Sequence, residues 1–131
     1  NNTIVEATVG KNTELYVSTF YAEGGNADFE KGIKEWMNAD SARLEKNGGN
    51  DMLAAVTVMG YDAYMVAVEA IKAAGSSDPA AVMAALPNVK YSGVSGDISF
   101  NETGDANRDS AFIKTANTEK GVWDFVAVQK A

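Results

Sequence analysis

The stretch "YSGVSGDISFNETGD", Tyr91–Asp105, decides how the second half of the chain is read. Val94, Ile98 and Phe100 fall on a period of two, which argues for a strand over Val94–Phe100 rather than a helix. The acidic tip asks a separate question, because Asn101, Thr103, Asp105, Asn107 and Asp109 occupy alternate positions, as the first five ligands of an EF-hand calcium loop do. The rest of that pattern fails. The glycine of the sharp turn would have to stand at Ala106, where this chain has Gly104 instead, and Phe112 holds the place of the closing glutamate. The stretch therefore reads as strand and polar turn, with Gly104 supplying a positive φ.

Working outward, "AFIKTA" (Ala111–Ala116) and "VWDFVAV" (Val122–Val128) are two further strands, joined by "NTEKG", a loop of hairpin length. Upstream lies the longest apolar segment, "MLAAVTVMGYDAYMVAVEAIKAAG", Met52–Gly75. It reads as a helix buried on most sides, with Tyr61 and Tyr64 in the core and Asp62, Glu69 and Lys72 on one solvated face. Gly75 suits the position after its end, Asp78 the cap of a short helix with Pro79 at its first position, and Pro87 the stop of that helix. Phe29, Ile33, Trp36 and Met37 mark an amphipathic helix capped by Asn26 and ending before "NGGN", Asn47–Asn50. Before it, "ELYVSTFY" (Glu14–Tyr21) reads as a buried strand running into the turn "AEGGN", with Tyr16 and Phe20 toward the core and Tyr21 on the other face. The order is β-α-α-α-β-β-β, an α/β chain whose first strand lacks a helical partner before it and so looks like part of a larger sheet.

Composition excludes several classes of function. The chain has 131 residues, 46% of them hydrophobic, enough for one domain-sized core. Eleven Lys and Arg against eighteen Asp and Glu give a net charge of −7, which argues against nucleic acid as a partner. With no Cys and no His, thiol nucleophiles, thiolate or imidazole metal sites and histidine-based triads are removed. Neither "SGVSG" nor "AEGGN" has phosphate-loop spacing, so no nucleotide cofactor is expected, nor any other cofactor or metal. No apolar run reaches membrane-spanning length, and "NNTIVEATVG" lacks the features of a signal peptide, so an export signal would lie outside this sequence.

Three phrases, in order and spacing, resemble a known family: "YVSTFYAEGGNADFEKGIKEW", "GYDAYMVAVEAIKAAGSSDPAAVMAAL" and "YSGVSGDISFNETGDANRDSAFIK". Together they look like the C-terminal portion of branched-chain-amino-acid-type substrate-binding proteins of ABC transporters, which have the type I periplasmic binding protein fold. The resemblance runs from Tyr16 to about Phe125, and it implies a partial two-lobed, three-layer α/β/α architecture. It implies that residues 1–20 end lobe two, that 21–108 form the second half of lobe one, and that 109–131 return to lobe two as a hairpin. Phe20, Tyr21 and Arg108 would then lie at the hinge. Val56 and Thr57 align with the region that meets the ligand on closure, and Tyr61 follows one turn later; the alternative for all three is plain helix packing.

What the resemblance implies about function is binding without bond-making: an extracytoplasmic component that closes over an amino-acid-like small molecule and presents the closed form to a membrane permease. Most groups that hold the ligand's ammonium and carboxylate come from the N-terminal two thirds of the family's members. The 131 residues alone are therefore expected to show no thermal shift with amino acids, and to expose apolar faces and sheet edges that an N-terminal portion or a swapped second copy would cover. Light scattering that found a stable folded monomer at low concentration would rule that dependence out. Two other classes remain open: a ligand-sensing domain of a receptor or amide regulator with the same fold, and a carboxylate-based hydrolase, which turnover on a glycoside and ester panel would reveal.

Overall fold

The computed structural model of the chain describes residues 2–108 and 110–130. The chain divides into two units, Asn1–Ala22 with Asp109–Ala131, and Glu23–Arg108, so that it passes from one to the other after Ala22 and back after Arg108. Asp109, which the calcium spacing would have used, lies outside the described residues.

The first unit is a three-stranded antiparallel sheet with one short helix. Helix α1 (Asn2–Glu6) precedes β1 (Tyr16–Thr19), and the sheet order is β1-β5-β6, with β5 spanning Ser110–Asn117 and β6 Val122–Lys130. The β5–β6 hairpin forms with the expected loop, Gly121 taking a φ of 68° at its tip, but without the expected alternation of buried and exposed residues and with a register shift between Ile113 and Lys114. The first strand departs from expectation. Tyr16, Val17 and Phe20 are exposed and Tyr21 is buried, the reverse of a strand with Tyr16 and Phe20 in the core. The physical reason is cover: a five-residue helix shields little of a three-stranded sheet, and Val122, Phe125, Val126 and Val128 are exposed as well. Tyr21 is buried because its ring packs on Phe112, 5.7 Å between centroids, which in turn meets Phe125 at 6.3 Å. Helix α1 has no counterpart in the sequence reading; "NTIVE" is too short for a periodic signal.

The second unit holds the longer helices. Helix α2 (Ala27–Asn38) starts as read, the Asn26 side chain accepting from the Phe29 amide at 3.0 Å. It ends before "NGGN", as read, but already at Asn38: Asp40 caps a separate α3 (Ser41–Lys46), which the sequence reading did not include, by accepting from the Ala42 amide at 2.9 Å. Trp36 is exposed rather than packed on the apolar stripe. The Arg43 guanidinium covers its ring at 4.4 Å, because α3 folds back along that side.

Helix α4 (Ala55–Ala74) ends at Gly75, whose φ of 60° is the left-handed cap the sequence called for. It buries one stripe, Val58, Asp62, Val66 and Ala70, not most of its circumference; Tyr61 and Tyr64 are exposed. Helix α5 (Pro79–Ala85) is capped by Asp78, accepting from Ala81 at 3.0 Å, and a 3-10 turn at Leu86–Asn88 ends it around Pro87. The strand expected over Val94–Phe100 is a hairpin: β2 (Tyr91–Gly93) and β3 (Gly96–Phe100) pair in register Tyr91↔Ile98, with Val94 and Ser95 in the turn. Strand β4 (Ala106–Asn107) then pairs with β3. Between β3 and β4 the Asn101 side chain accepts from the Thr103 and Asp105 amides, and Gly104 takes a φ of 86°. Val66, Ala70, Val89 and Ile98 form the core of this unit, with Val82, Leu86, Tyr91 and Phe100 packed around them.

Candidate functional site

The first turns of α4 carry the three residues read as ligand contacts. Ala54 caps the helix without a side-chain hydrogen bond, so the amides of the first turn lack a side-chain acceptor there. Val56 is 73% exposed, Thr57 is partly buried with its amide donating to the Ala54 carbonyl at 3.0 Å, and Tyr61 is exposed. The Tyr61 ring is not loose. It packs against Phe29 of α2 at 5.0 Å between centroids, 58° between planes. Val56 and Tyr61 therefore present apolar and aromatic surface without belonging to the unit's core.

The lead-in to this helix is fixed by Glu23. One carboxylate oxygen accepts from the Leu53 amide at 2.7 Å, and the other from the Lys34 ammonium at 3.2 Å. Glu30 holds the neighbouring turn, accepting from the Gly24 amide at 2.7 Å. No motif marks Glu23 in the sequence; its role arises because the turn before α2 and the segment before α4 meet in the fold.

Asp62 is the main departure from the sequence reading. Expected on a solvated face beside Glu69, it is 1% exposed. Its carboxylate accepts from the Val94 and Ser95 amides, each at 2.8 Å, and from the Ser95 hydroxyl. Closeness explains Gly93: a Cβ there would stand 2.6 Å from the Asp62 carboxylate, so only glycine lets the β2–β3 turn approach the helix. A signal was present in the sequence, since Asp62 is four residues from both Val58 and Val66, in phase with the buried stripe. The count from Glu69 and Lys72 pointed to the other side.

Of the three residues expected at the hinge, Phe20 is exposed and Tyr21 buried in the sheet unit. Arg108, the last residue of the helical unit, donates through Nη1 to the Ser95 carbonyl at 3.0 Å and to the Ser95 hydroxyl at 2.8 Å. Ser95 thus sits between Arg108 and Asp62. Tyr91 lies in the same neighbourhood, and its phenol is raised above the ordinary value by burial first, then by the charges of Asp62, Tyr61 and Glu69. A raised phenol pKa adds stability that is complete below about pH 10 and is lost as pH climbs through the folded-state value. Alkaline urea denaturation should show wild-type stability falling more steeply with pH than that of Tyr91→Phe.

Among the described residues no cluster of three acidic, His or Cys side chains is placed to hold a metal, and no helix is long and apolar enough to cross a membrane. The arrangement is exposed apolar and aromatic surface on the first turns of a helix whose lead-in is held by the Glu23 carboxylate and whose own Asp62 carboxylate holds the β2–β3 turn. The model of the family described as "Periplasmic binding protein" matches residues 3–120. Among solved structures, a leucine binding protein, LivK, from Thermotoga maritima is similar at 28% sequence identity with a TM-score of 0.68; the match covers 98% of this chain and 34% of that one. The chain therefore spans about a third of that relative's length. No curated protein sequence matches significantly.

Proposed function

This chain belongs to the periplasmic binding protein family, and on that premise we propose that it is part of the extracytoplasmic solute-binding component of an ABC importer, taking up an amino-acid-like small molecule. The observation that carries the reading is the match over nearly the whole chain to a protein described as leucine binding. On this reading the unit Glu23–Arg108 contributes to one lobe and the sheet unit to the other, with Phe20, Tyr21 and Arg108 at the crossings and a membrane permease as the partner that receives the closed form.

Val56, Thr57 and Tyr61 form the ligand-facing part of this chain. The exposure of Val56 and Tyr61 supports it: Val56 is 73% exposed on a helix whose opposite stripe is fully packed, so its surface is available without disturbing the core. The ligand's charged ends would be held by groups beyond this chain, and these residues would contact its apolar side and exclude water on closure.

The test is mass spectrometry, under native conditions, of the protein purified with any further chain it carries. A bound small amphoteric molecule is the expected finding. Val56→Asp should cut its occupancy by about tenfold, the factor that a loss of about 1.4 kcal/mol corresponds to, because it sets a carboxylate against the ligand's apolar side. The melting temperature should stay within a few degrees of wild type, since the position is exposed. Unchanged occupancy in that variant would remove α4 from the site.

A further inference from the structure

Two features flank the exposed turns of α4, and both belong to residues beside the points where the chain leaves and re-enters the sheet unit. Glu23, the first residue after the outgoing crossing, accepts from the Leu53 amide just before the helix. Arg108, the last residue before the return crossing, donates to Ser95, whose amide and hydroxyl both donate to Asp62, one residue after Tyr61. Ala54–Tyr61 is therefore held at both ends, at Leu53 by one connector and at Asp62 by the other. Ser95 and Asp62 are 4% and 1% exposed, so water does not readily replace these bonds. The Val94 amide adds a third donor to Asp62, and the close approach at Gly93 leaves the turn no room to shift toward the helix.

We infer that Glu23 and the Asp62–Ser95–Arg108 relay are positioning residues, tying both inter-unit connectors to the two ends of the helix segment that carries Val56, Thr57 and Tyr61. This rests on the ligand reading given above for that segment, and it deepens it: contact at the segment is transmitted to each connector through one side-chain bond at one end and through a serine bridge at the other. Neither clamp touches the ligand surface itself. Each acts by fixing where α4 begins and how its second turn is anchored. The apolar core of the unit, Val66, Ala70, Val89 and Ile98, lies further along α4 and under the hairpin, and it is held by packing rather than by these bonds.

That division gives a readout which a merely structural role would not produce. Amide hydrogen exchange, followed in the natively purified protein, should rise by about tenfold over Val56–Tyr61 in Ser95→Ala and in Glu23→Ala, while Val66–Ala70 keeps its wild-type protection. Ser95→Thr keeps a hydroxyl between Arg108 and Asp62, and Glu23→Gln keeps an oxygen for the Leu53 amide, so both should restore slow exchange over Val56–Tyr61. Ser95→Ala retains the Ser95 backbone donor to Asp62 and Glu23 is partly exposed, so both alanine variants should fold. Unchanged exchange over Val56–Tyr61 in the two alanine variants would overturn the inference, as would a uniform rise that includes Val66–Ala70. Because each variant is compared with wild type purified in the same way, whether or not a molecule is bound, the measurement separates from the ligand reading: an empty protein in the native mass spectrum would count against that reading, while the exchange result would still decide the clamps.

Discussion

Asp62→Ala is expected to lower the stability of the chain by about 4 kcal/mol in urea denaturation, a large part of the roughly 5–15 kcal/mol that holds a typical domain together. Three donors converge on this carboxylate: the Val94 and Ser95 amides and the Ser95 hydroxyl. Hydrogen bonds to a charged acceptor contribute about 1.5–3 kcal/mol each, and a buried donor left without a partner costs about 1–3 kcal/mol. Val94 is only partly buried, so water recovers some of its loss, but Ser95 is 4% exposed and its amide would be stranded. Asp62→Asn should fall between alanine and wild type, because one side-chain oxygen survives while the new amide group faces a donor. Glu69→Ala, seven residues along the same helix, is the contrast. Its partner Lys72 stands at 2.7 Å, but the two side chains are 37% and 64% exposed, so solvent screening leaves a loss of less than about 1 kcal/mol. Equal losses for Asp62→Ala and Glu69→Ala would mean that the carboxylate does not hold the β2–β3 turn.

What the sequence made legible were features decided by neighbours along the chain. Asn26 and Asp78 cap helices because their side-chain oxygens reach amides three residues on, Gly75 ends α4 because glycine takes the left-handed cap without strain, and the loop after Asn117 turns a hairpin. What it hid depends on contacts across the chain. Asp62 read as solvated because its exposure is settled by a turn more than thirty residues away, and the strand over Val94–Phe100 read as continuous because alternation does not show that Val94 and Ser95 form a turn. Tyr16 and Phe20 read as core because strand residues of that kind usually find cover, and the sheet here has little. The candidate site shares this split. Val56, Thr57 and Tyr61 came from resemblance to a family pattern, whereas Glu23 and Ser95, which hold their segment in place, carry no motif and emerge only from the folded arrangement.

Tyr21→Ala should cost the sheet unit about 3–5 kcal/mol, the range for removing a large buried ring. The argument is one of scarcity. Among the described residues of that unit the buried apolar side chains are Val5, Tyr21 and Ala22, while Tyr16, Val17, Phe20, Val122, Phe125, Val126 and Val128 are all exposed. Tyr21 is the only large ring among the buried three, and through Phe112 it links the end of β1 to Phe125 on β6. Phe20→Ala, its 47% exposed neighbour in sequence, should cost clearly less, about 1–1.5 kcal/mol, since about half of its surface stays in water in the folded state too. Amide exchange locates the loss. Protection of β5, which pairs with both β1 and β6, should fall by more than tenfold in Tyr21→Ala, while the Val66–Ala70 segment keeps its rate, because it belongs to the core of the other unit. If Phe20→Ala were as costly as Tyr21→Ala, the ring cluster would not be the sheet's core, and exposed apolar residues on its faces would have to be holding the strands together.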